Sequence, residues 1–138
     1  MSEAPQGFRA LHRLSPFNEM VGPLYERRKP GEELSIGLRI EKKHTNSLGI
    51  CNGGVLATLA DVALGYAMHA KLEEKASYVT AHLAVDYAGA AKIGDWIESR
   101  VEVQRLGGRI AFANCYLLCG ERRIVRASAI FARADRQR

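Results

Sequence analysis

The sequence predicts an α+β fold in which an antiparallel sheet wraps around one long, buried helix. Residues 53–70 form a continuous apolar segment of helix-favouring residues, and segments that alternate between apolar and polar residues stand on both sides of it. Short segments with turn chemistry separate the alternating segments after the helix, as is typical of antiparallel strands. A chain of 138 residues is long enough for one domain with a proper hydrophobic core.

The start of the chain is expected to form an arm, residues 1–30, that precedes the main domain, residues 31–138. Residues 1–15 are polar and mixed in character, which favours a loose segment. Residues 16–31 contain three of the four prolines, so a short helical turn and a loop are predicted there.

The main domain is predicted to consist of a strand, the helix and four further strands. Residues 33–42 alternate between apolar and polar side chains, which indicates a half-buried strand, and residues 44–54 are loop by composition. The helix over residues 53–70 is apolar nearly all round, which places it inside the domain rather than on its surface. The four later strands are predicted over residues 78–88, 96–105, 109–119 and 123–133.

Composition and charge narrow the possible partners. The net charge of +5 and the pI of about 9.3 fit either a solvated surface with surplus arginine or an anionic partner, which would be a nucleic acid or a small ligand that carries phosphate. The basic residues are scattered, without a dense tract, a zinc finger or a helix-turn-helix pattern, so nucleic-acid binding is disfavoured. No Cys/His cluster has the spacing of a metal site, and we expect neither a metal ion nor a cofactor.

Cysteine usage and the lack of long apolar segments predict the compartment. Cys51, Cys115 and Cys119 are odd in number and lack framework spacing, which fits a reducing environment. No apolar run is long enough to span a bilayer, and the N-terminus lacks the apolar segment of a secretory signal. We therefore expect a cytoplasmic protein without membrane association.

Asp61 is the only charged residue between Gly53 and Met68 and thus stands alone in the apolar helix. Asp is a poor residue for a helix interior, and an unpaired buried carboxylate costs several kcal/mol. Two interpretations stay open at this point. Asp61 has a chemical role, or it pairs with an arginine from the sheet and has a purely structural one.

The pair Gly53-Gly54 opens the helix, where the first backbone N–H groups lack partners and the helix dipole is positive. A carbonyl oxygen placed there would be polarised, although a simple turn with Asn52 as N-cap explains the pair equally well. Gly53 and Asp61 are eight residues apart, about 12 Å along a helix. Two protomers with antiparallel central helices would bring Gly53 of one chain to Asp61 of the other, so the site would straddle a dimer interface.

Residues 44–61, HTNSLGICNGGVLATLAD, resemble the signature of the PaaI-like branch of hotdog-fold acyl-CoA thioesterases. The segments GPLYERR at 22–28 and AKIGDWIES at 91–99 are also similar to that family, so that the resemblance spans about residues 17–133. It implies a hotdog fold, hydrolysis of an acyl-CoA thioester, and a homodimer as the minimum active unit, with further pairing into a homotetramer.

The resemblance also implies roles for residues in this signature. Asp61 matches the catalytic carboxylate, either a general base or a nucleophile, and Gly53 matches the residue whose N–H polarises the thioester carbonyl. Asn46 matches a residue that places the water or the substrate, and Thr80 matches a Ser/Thr position near the carboxylate of the same subunit. Asn52 stands where the family usually has His, and it keeps hydrogen-bonding ability but cannot titrate.

Five further residues are candidates for substrate binding. Gly54 lets a substrate approach the helix start, and His44 either contacts the substrate or orders the loop before it. The coenzyme A phosphates require cations, and Arg105, Arg109 and Arg133 are candidates, with solvated surface charge as the alternative.

Three classes of function remain open from the sequence. An acyl-CoA thioesterase is favoured. A non-catalytic module that binds acyl-CoA, such as a ligand sensor, is the alternative, and Asn52 in place of His is its main support. A nucleic-acid-binding domain is the third, and it would show a steep salt dependence of affinity.

Overall fold

The computed structural model describes residues 4–12, 14–71 and 76–135. Two α-helices, a 3₁₀ turn at Lys42–His44 and seven strands form in these ranges. The helices are α1 (Pro16–Val21) and α2 (Gly53–His69), and the strands are β1 (Arg9–Ala10), β2 (Leu24–Arg27), β3 (Ser35–Arg39), β4 (Ala76–Tyr87), β5 (Trp96–Leu106), β6 (Ile110–Cys119) and β7 (Arg122–Asp135). No helix in the described ranges is long and apolar enough to cross a bilayer.

The strands form one antiparallel sheet in the order β1-β2-β3-β5-β6-β7-β4. This arrangement confirms the predicted α+β class, with one long helix against an antiparallel sheet. The predicted helix and the four later strands match the observed bounds within two residues at each end. The order of the strands in the sheet differs from their order in the chain, because β4 pairs with β7 and lies at the edge of the sheet.

Helix α2 lies against the inner face of the sheet, and its buried side anchors the core. The buried residues of α2 are Leu56, Leu59, Ala60, Ala63, Leu64, Ala67 and Met68. They pack against buried strand residues such as Ile97, Leu117 and Phe131. Burial of each large apolar side chain contributes roughly 1.5–3 kcal/mol, so this interface fixes the position of α2 on the sheet.

The N-terminal arm is attached to the sheet, in contrast to the loose segment expected for residues 1–15. Strand β1 pairs with β2, and the Phe8 ring meets the Trp96 ring edge-on at 5.0 Å. Gly37 provides the space, because a Cβ atom at this position would collide with the indole of Trp96. The expectation failed because the partners of this short segment lie far along the chain, where local composition gives no signal.

The edge strand β4 runs alongside α2 and positions the candidate site. A β-bulge between Thr80 and His82 shifts the register against β7. Bulges re-aim side chains, and here Thr80 faces α2 rather than solvent alone. The start and the middle of α2 therefore meet different parts of β4, with Gly53 beside Tyr87 and Asp61 beside Thr80.

Candidate active site

Asp61 lies on the partly exposed side of α2, and the Thr80 hydroxyl donates a hydrogen bond of 2.9 Å to its Oδ1 atom. The structure therefore brings together the two residues that the resemblance placed near each other. Among the described residues, no Lys, Arg or His lies within ion-pair distance of Asp61. The alternative in which a sheet arginine neutralises this carboxylate is not realised in that part of the chain.

A cavity of about 420 Å³ opens beside Asp61 and Thr80. Its remaining walls come from α1, α2, β4 and β7, at Ser15, Asn18, Val62, Gly65, Tyr66, His69, Tyr78 and Phe131. Tyr66 lines it, whereas Met68 is fully buried in the core. Sequence reasoning missed His69, although its position two helical turns after Asp61 places both on one face of α2.

The first turn of α2 is held by a set of short hydrogen bonds. Asn52 is the N-cap, and its Oδ1 atom accepts a 2.7 Å bond from the Gly54 N–H. The Tyr87 hydroxyl donates a 2.7 Å bond to the Gly53 carbonyl oxygen. Within the described part of the chain, no acceptor engages the Gly53 N–H. This turn thus has one free donor, at the residue expected to polarise a thioester carbonyl.

His44 is buried, with 2% of its surface exposed, and both of its ring nitrogens are engaged. The Nδ1 atom accepts a 2.9 Å bond from the Glu41 N–H, so the Nε2 atom carries the proton and donates to the Val21 carbonyl. The ring therefore links the end of α1 to the loop before α2. It has no nitrogen left for a ligand, and we leave His44 out of the proposed substrate site.

Asn46 also makes its main contacts within its own loop. Its Oδ1 atom accepts bonds from the N–H groups of Leu48 at 2.9 Å and Ile50 at 3.3 Å. Only the side-chain NH₂ group is then available to a water molecule or a substrate. A role for Asn46 in placing either one is restricted to hydrogen-bond donation.

The three candidate arginines gather at one end of the sheet. Arg105 and Arg109 flank the β5–β6 turn, and the Arg133 N–H donates a 2.8 Å bond to the Arg109 carbonyl. Arg133 pairs across the strands with Tyr78, which lines the cavity beside Asp61. All three side chains are exposed, so they form a cationic end of the sheet near the Asp61 cavity and far from Gly53.

One chain does not bring Gly53 and Asp61 together. Both lie on α2, separated by eight residues and thus by about 12 Å. Their neighbours Tyr87 and Thr80 are likewise seven residues apart on β4. A group that touches the Gly53 N–H and the Asp61 carboxylate at once therefore requires a second protomer.

Two of the three cysteines, Cys51 and Cys115, are buried thiols. Burial raises the pKa of Cys51, next to Asn52, to about 11 and that of Cys115 to about 12. Neither thiol therefore provides a thiolate nucleophile near neutral pH. The described residues contain no group of three or more His, Cys, Asp or Glu side chains placed to hold a metal ion.

Comparison with protein families matches residues 48–125 to the family described as the thioesterase superfamily. The matched range includes all of α2, with Gly53 and Asp61, together with Thr80 and Tyr87 of β4. The chain belongs to the thioesterase superfamily.

Individual relatives agree with this thioesterase assignment. The Pseudomonas aeruginosa protein named "Putative esterase PA0474" is 44% identical over 131 residues, which cover 95% of this chain and 98% of that protein. Mouse "Acyl-coenzyme A thioesterase 13" is 34% identical over 83 residues, which cover 60% of this chain and 59% of that protein.

A solved structure identifies the fold of this thioesterase-superfamily chain. A variant of the phenylacetic acid degradation protein PaaI from Thermus thermophilus superposes with a TM-score of 0.76 at 21% identity. The superposition covers 86% of this chain and 98% of that one. The fold is therefore the hotdog fold, and the predicted PaaI-like resemblance is confirmed at the level of fold and superfamily.

Proposed function

We propose that this chain hydrolyses acyl-CoA thioesters to a free acid and coenzyme A, with Asp61 as the catalytic carboxylate. The main supporting observation is the environment of Asp61, which borders a cavity and has a hydroxyl donor but no cationic partner among the described residues. Such a carboxylate is available to accept a proton or to attack a carbonyl carbon. The name of the mouse relative favours coenzyme A as the thiol of the substrate.

In the proposed reaction, the thioester carbonyl oxygen accepts a hydrogen bond from the Gly53 N–H. Asp61 of the partner subunit takes a proton from water while the water oxygen bonds to the carbonyl carbon. The tetrahedral intermediate then collapses, the C–S bond breaks, and the proton passes to the coenzyme A thiolate. In the alternative route, Asp61 attacks the carbonyl carbon itself, the C–S bond breaks to release the coenzyme A thiolate, and water hydrolyses the resulting anhydride to regenerate Asp61 and release the free acid.

The active unit in this proposal is a homodimer. The partly exposed side of α2 is rich in small residues, at Gly54, Ala57, Thr58 and Gly65, which supports close approach of a second α2 helix. Strand β4 lies at the edge of the sheet, where its outer backbone groups can pair with those of a second β4. An antiparallel arrangement of this kind gives each dimer two sites.

The exposed apolar residues on the outer face of the sheet support further assembly, and the three arginines at the end of the sheet support substrate binding. The exposed apolar residues Val79, Ile110 and Phe112 lie on the outer face of the sheet, which supports pairing of dimers into a tetramer. Arg105, Arg109 and Arg133 would bind the phosphates of coenzyme A, since guanidinium groups match phosphate oxygens in geometry and charge. Sedimentation velocity of the purified protein tests the assembly.

The alternative is a module that binds acyl-CoA without turnover. Asn52 supports it, because its side-chain oxygen is already engaged by the Gly54 N–H and it supplies no ionisable group beside Gly53. The thioesterase proposal needs no such group, since the thiolate of coenzyme A leaves with little acid assistance.

Thiol release from a panel of acyl-CoAs (acetyl, hexanoyl, lauroyl, benzoyl and phenylacetyl) tests the proposal. Asp61→Ala should lower kcat by roughly 10²–10⁴-fold, the contribution of a general base. Asp86→Asn is the matched control, because Asp86 is an exposed acid on β4 that pairs with Arg126. Absence of turnover across the panel, with tight binding of acyl-CoA to wild type and Asp61→Ala, would favour the binding module.

A further inference from the structure

We propose that Tyr87 is a positioning residue for thioester hydrolysis, holding the first turn of α2 so that the Gly53 N–H stays available to the carbonyl oxygen. This inference rests on the proposed function and assigns a role to a residue outside the family-like signature. It is based on the hydrogen bonds around two consecutive peptide units, on the close approach of the Tyr87 ring to Gly53, and on the way β4 ends.

The two peptide units on either side of Gly53 are held at every polar atom except one. In the first unit, the Asn52 carbonyl accepts bonds from the N–H groups of Val55 at 3.0 Å and Leu56 at 3.3 Å. In the second unit, the Tyr87 hydroxyl holds the Gly53 carbonyl and the Asn52 side chain holds the Gly54 N–H, both at 2.7 Å. The free group is the Gly53 N–H, which no described residue engages.

External bonds are necessary here because the turn contains two adjacent glycines. Glycine has no Cβ atom and populates more backbone conformations than any other residue, so Gly53-Gly54 does not hold its own geometry. The Asn52 side chain restrains the N–H end of the peptide between the glycines. Tyr87 restrains the carbonyl end of the same peptide, and the two contacts together fix its plane.

The shape of the contact also explains why residue 53 is glycine. A Cβ atom at position 53 would lie 3.3 Å from the Cζ atom of Tyr87 and 3.4 Å from its hydroxyl oxygen. The 3.3 Å distance is slightly shorter than ordinary van der Waals contact, so a larger residue would require the phenol ring to shift by a few tenths of an ångström. Tyr87 and Gly53 are therefore matched in shape as well as by the hydrogen bond.

Tyr87 itself is well positioned by the backbone around it. It is the last residue of β4 and pairs with Val125 of β7. The next two residues, Ala88 and Gly89, both donate backbone bonds to the Ile124 carbonyl, at 2.9 and 3.1 Å. The side chain remains 51% exposed, so loss of its hydroxyl should leave the hydrophobic core intact.

The test compares wild type with Tyr87→Phe, which removes only the hydroxyl, using the acyl-CoA that wild type hydrolyses best. We expect kcat to fall by roughly 5- to 10-fold, the factor that corresponds to one net hydrogen bond, while KM and the melting temperature stay nearly constant. Tyr25→Phe is the control, since Tyr25 lies on β2 against Trp96, remote from α2.

Binding of two unreactive analogues separates positioning from a general structural role. One is a ketone with CF₂ next to the carbonyl and CH₂ in place of the thioester sulfur, which binds as the hydrate and so mimics the tetrahedral intermediate. The other is a thioether, with CH₂ in place of the carbonyl. Tyr87→Phe should weaken binding of the ketone by a factor similar to the loss in kcat and leave binding of the thioether unchanged.

Two results would overturn this role for Tyr87 while the thioesterase proposal stands. One is wild-type kcat in Tyr87→Phe, and the other is an equal loss of affinity for both analogues. Absence of turnover by wild type on every acyl-CoA would instead refute the proposed function, and the role of Tyr87 in hydrolysis would fall with it.

Discussion

The first turn of α2 and the middle of the same helix differ in how firmly their functional groups are held. At the first turn, the Asn52 side chain and the Tyr87 hydroxyl leave a single free donor, the Gly53 N–H, in the described part of the chain. In the middle, Asp61 receives one hydrogen bond from Thr80 and borders a cavity of about 420 Å³. Helix α2 therefore combines a backbone donor held by hydrogen bonds, the Gly53 N–H, with a carboxylate that borders a cavity, Asp61.

This difference suits hydrolysis of a family of related thioesters. The thioester carbonyl is common to all of them, and a preorganised donor stabilises its developing charge without reorganisation. The acyl groups vary, and under the proposed function the cavity of about 420 Å³ beside the carboxylate would accommodate them. The comparison therefore predicts that changes at the first turn alter rate for every substrate, whereas changes in the cavity alter the choice of substrate.

The largest effect on kcat is expected when the free donor, the Gly53 N–H, is removed from the first turn of α2. Gly53→Pro removes the N–H and adds a ring whose Cβ atom contacts Tyr87. Proline is favoured at the first position of a helix, where Gly53 stands after the extended N-cap Asn52. The kcat for thioester hydrolysis should fall by roughly 10²–10³-fold, as for loss of one oxyanion donor. Gly53→Ala is the matched control, because it adds a similar Cβ contact with Tyr87 and keeps the N–H. Equal losses in both variants would contradict a role for the N–H.

A large effect on the free energy of unfolding is expected at His44, which holds the loop before the first turn of α2. His44→Ala leaves the Glu41 N–H and the Val21 carbonyl without their partner and opens a small cavity. We expect a loss of about 3 kcal/mol in the free energy of unfolding, measured by urea denaturation. His82→Ala, at an exposed position on β4, should change it by less than about 0.5 kcal/mol. A small effect at His44 would show that the loop is held by other contacts.

A smaller effect is expected at the open middle of the helix. Thr80→Val keeps the shape of the side chain and removes the one hydroxyl that donates to Asp61. We expect kcat to fall by about 3- to 10-fold, since one modest hydrogen bond to the carboxylate is lost. Thr80→Ser restores the hydroxyl and should recover most of the rate in the same thiol-release assay. Failure of Ser to restore activity would assign the effect to packing.

The smallest effect is expected where this chain departs from the family pattern. Asn52→His should keep kcat/KM within about threefold at pH 8, because a neutral imidazole can accept the Gly54 N–H through Nδ1 as the Asn oxygen does. Below the ordinary imidazole pKa of about 6.5, the protonated ring cannot accept this bond, so the variant should lose activity faster than wild type. A large loss at pH 8 would show that Asn52 has a specialised role.

The elements with strong local patterns were predictable from the sequence. Alternation located β5 to β7, and the apolar segment after Asn52 defined α2 within one residue. Asp61 stood out because it is a lone charge in an apolar helix. The proximity of Thr80 to Asp61 came from resemblance to a known family and is present in the structure.

Contacts between distant parts of the chain were not predictable in the same way. The bond from Tyr87 to Gly53 joins residues that are 34 positions apart. The local sequence around Tyr87 indicates only an ordinary strand residue. The bond from His44 to Val21 depends on the position of the short helix α1 in the fold. The pattern of apolar and polar residues within α1 does not determine that position. The alternative in which His44 orders its loop is the one that the observed contacts match.

The six-residue helix α1 and its N-cap contribute Asn18 and Ser15 to the wall of the Asp61 cavity, yet they supply neither the carboxylate nor the backbone donor. Part of the cavity wall is therefore encoded in a stretch of sequence separate from the proposed reacting groups. Under the proposed function, mutation in α1 would change the accepted acyl group while the reacting groups stay as they are. For evolution or protein engineering, this short segment is an accessible starting point for a change of substrate.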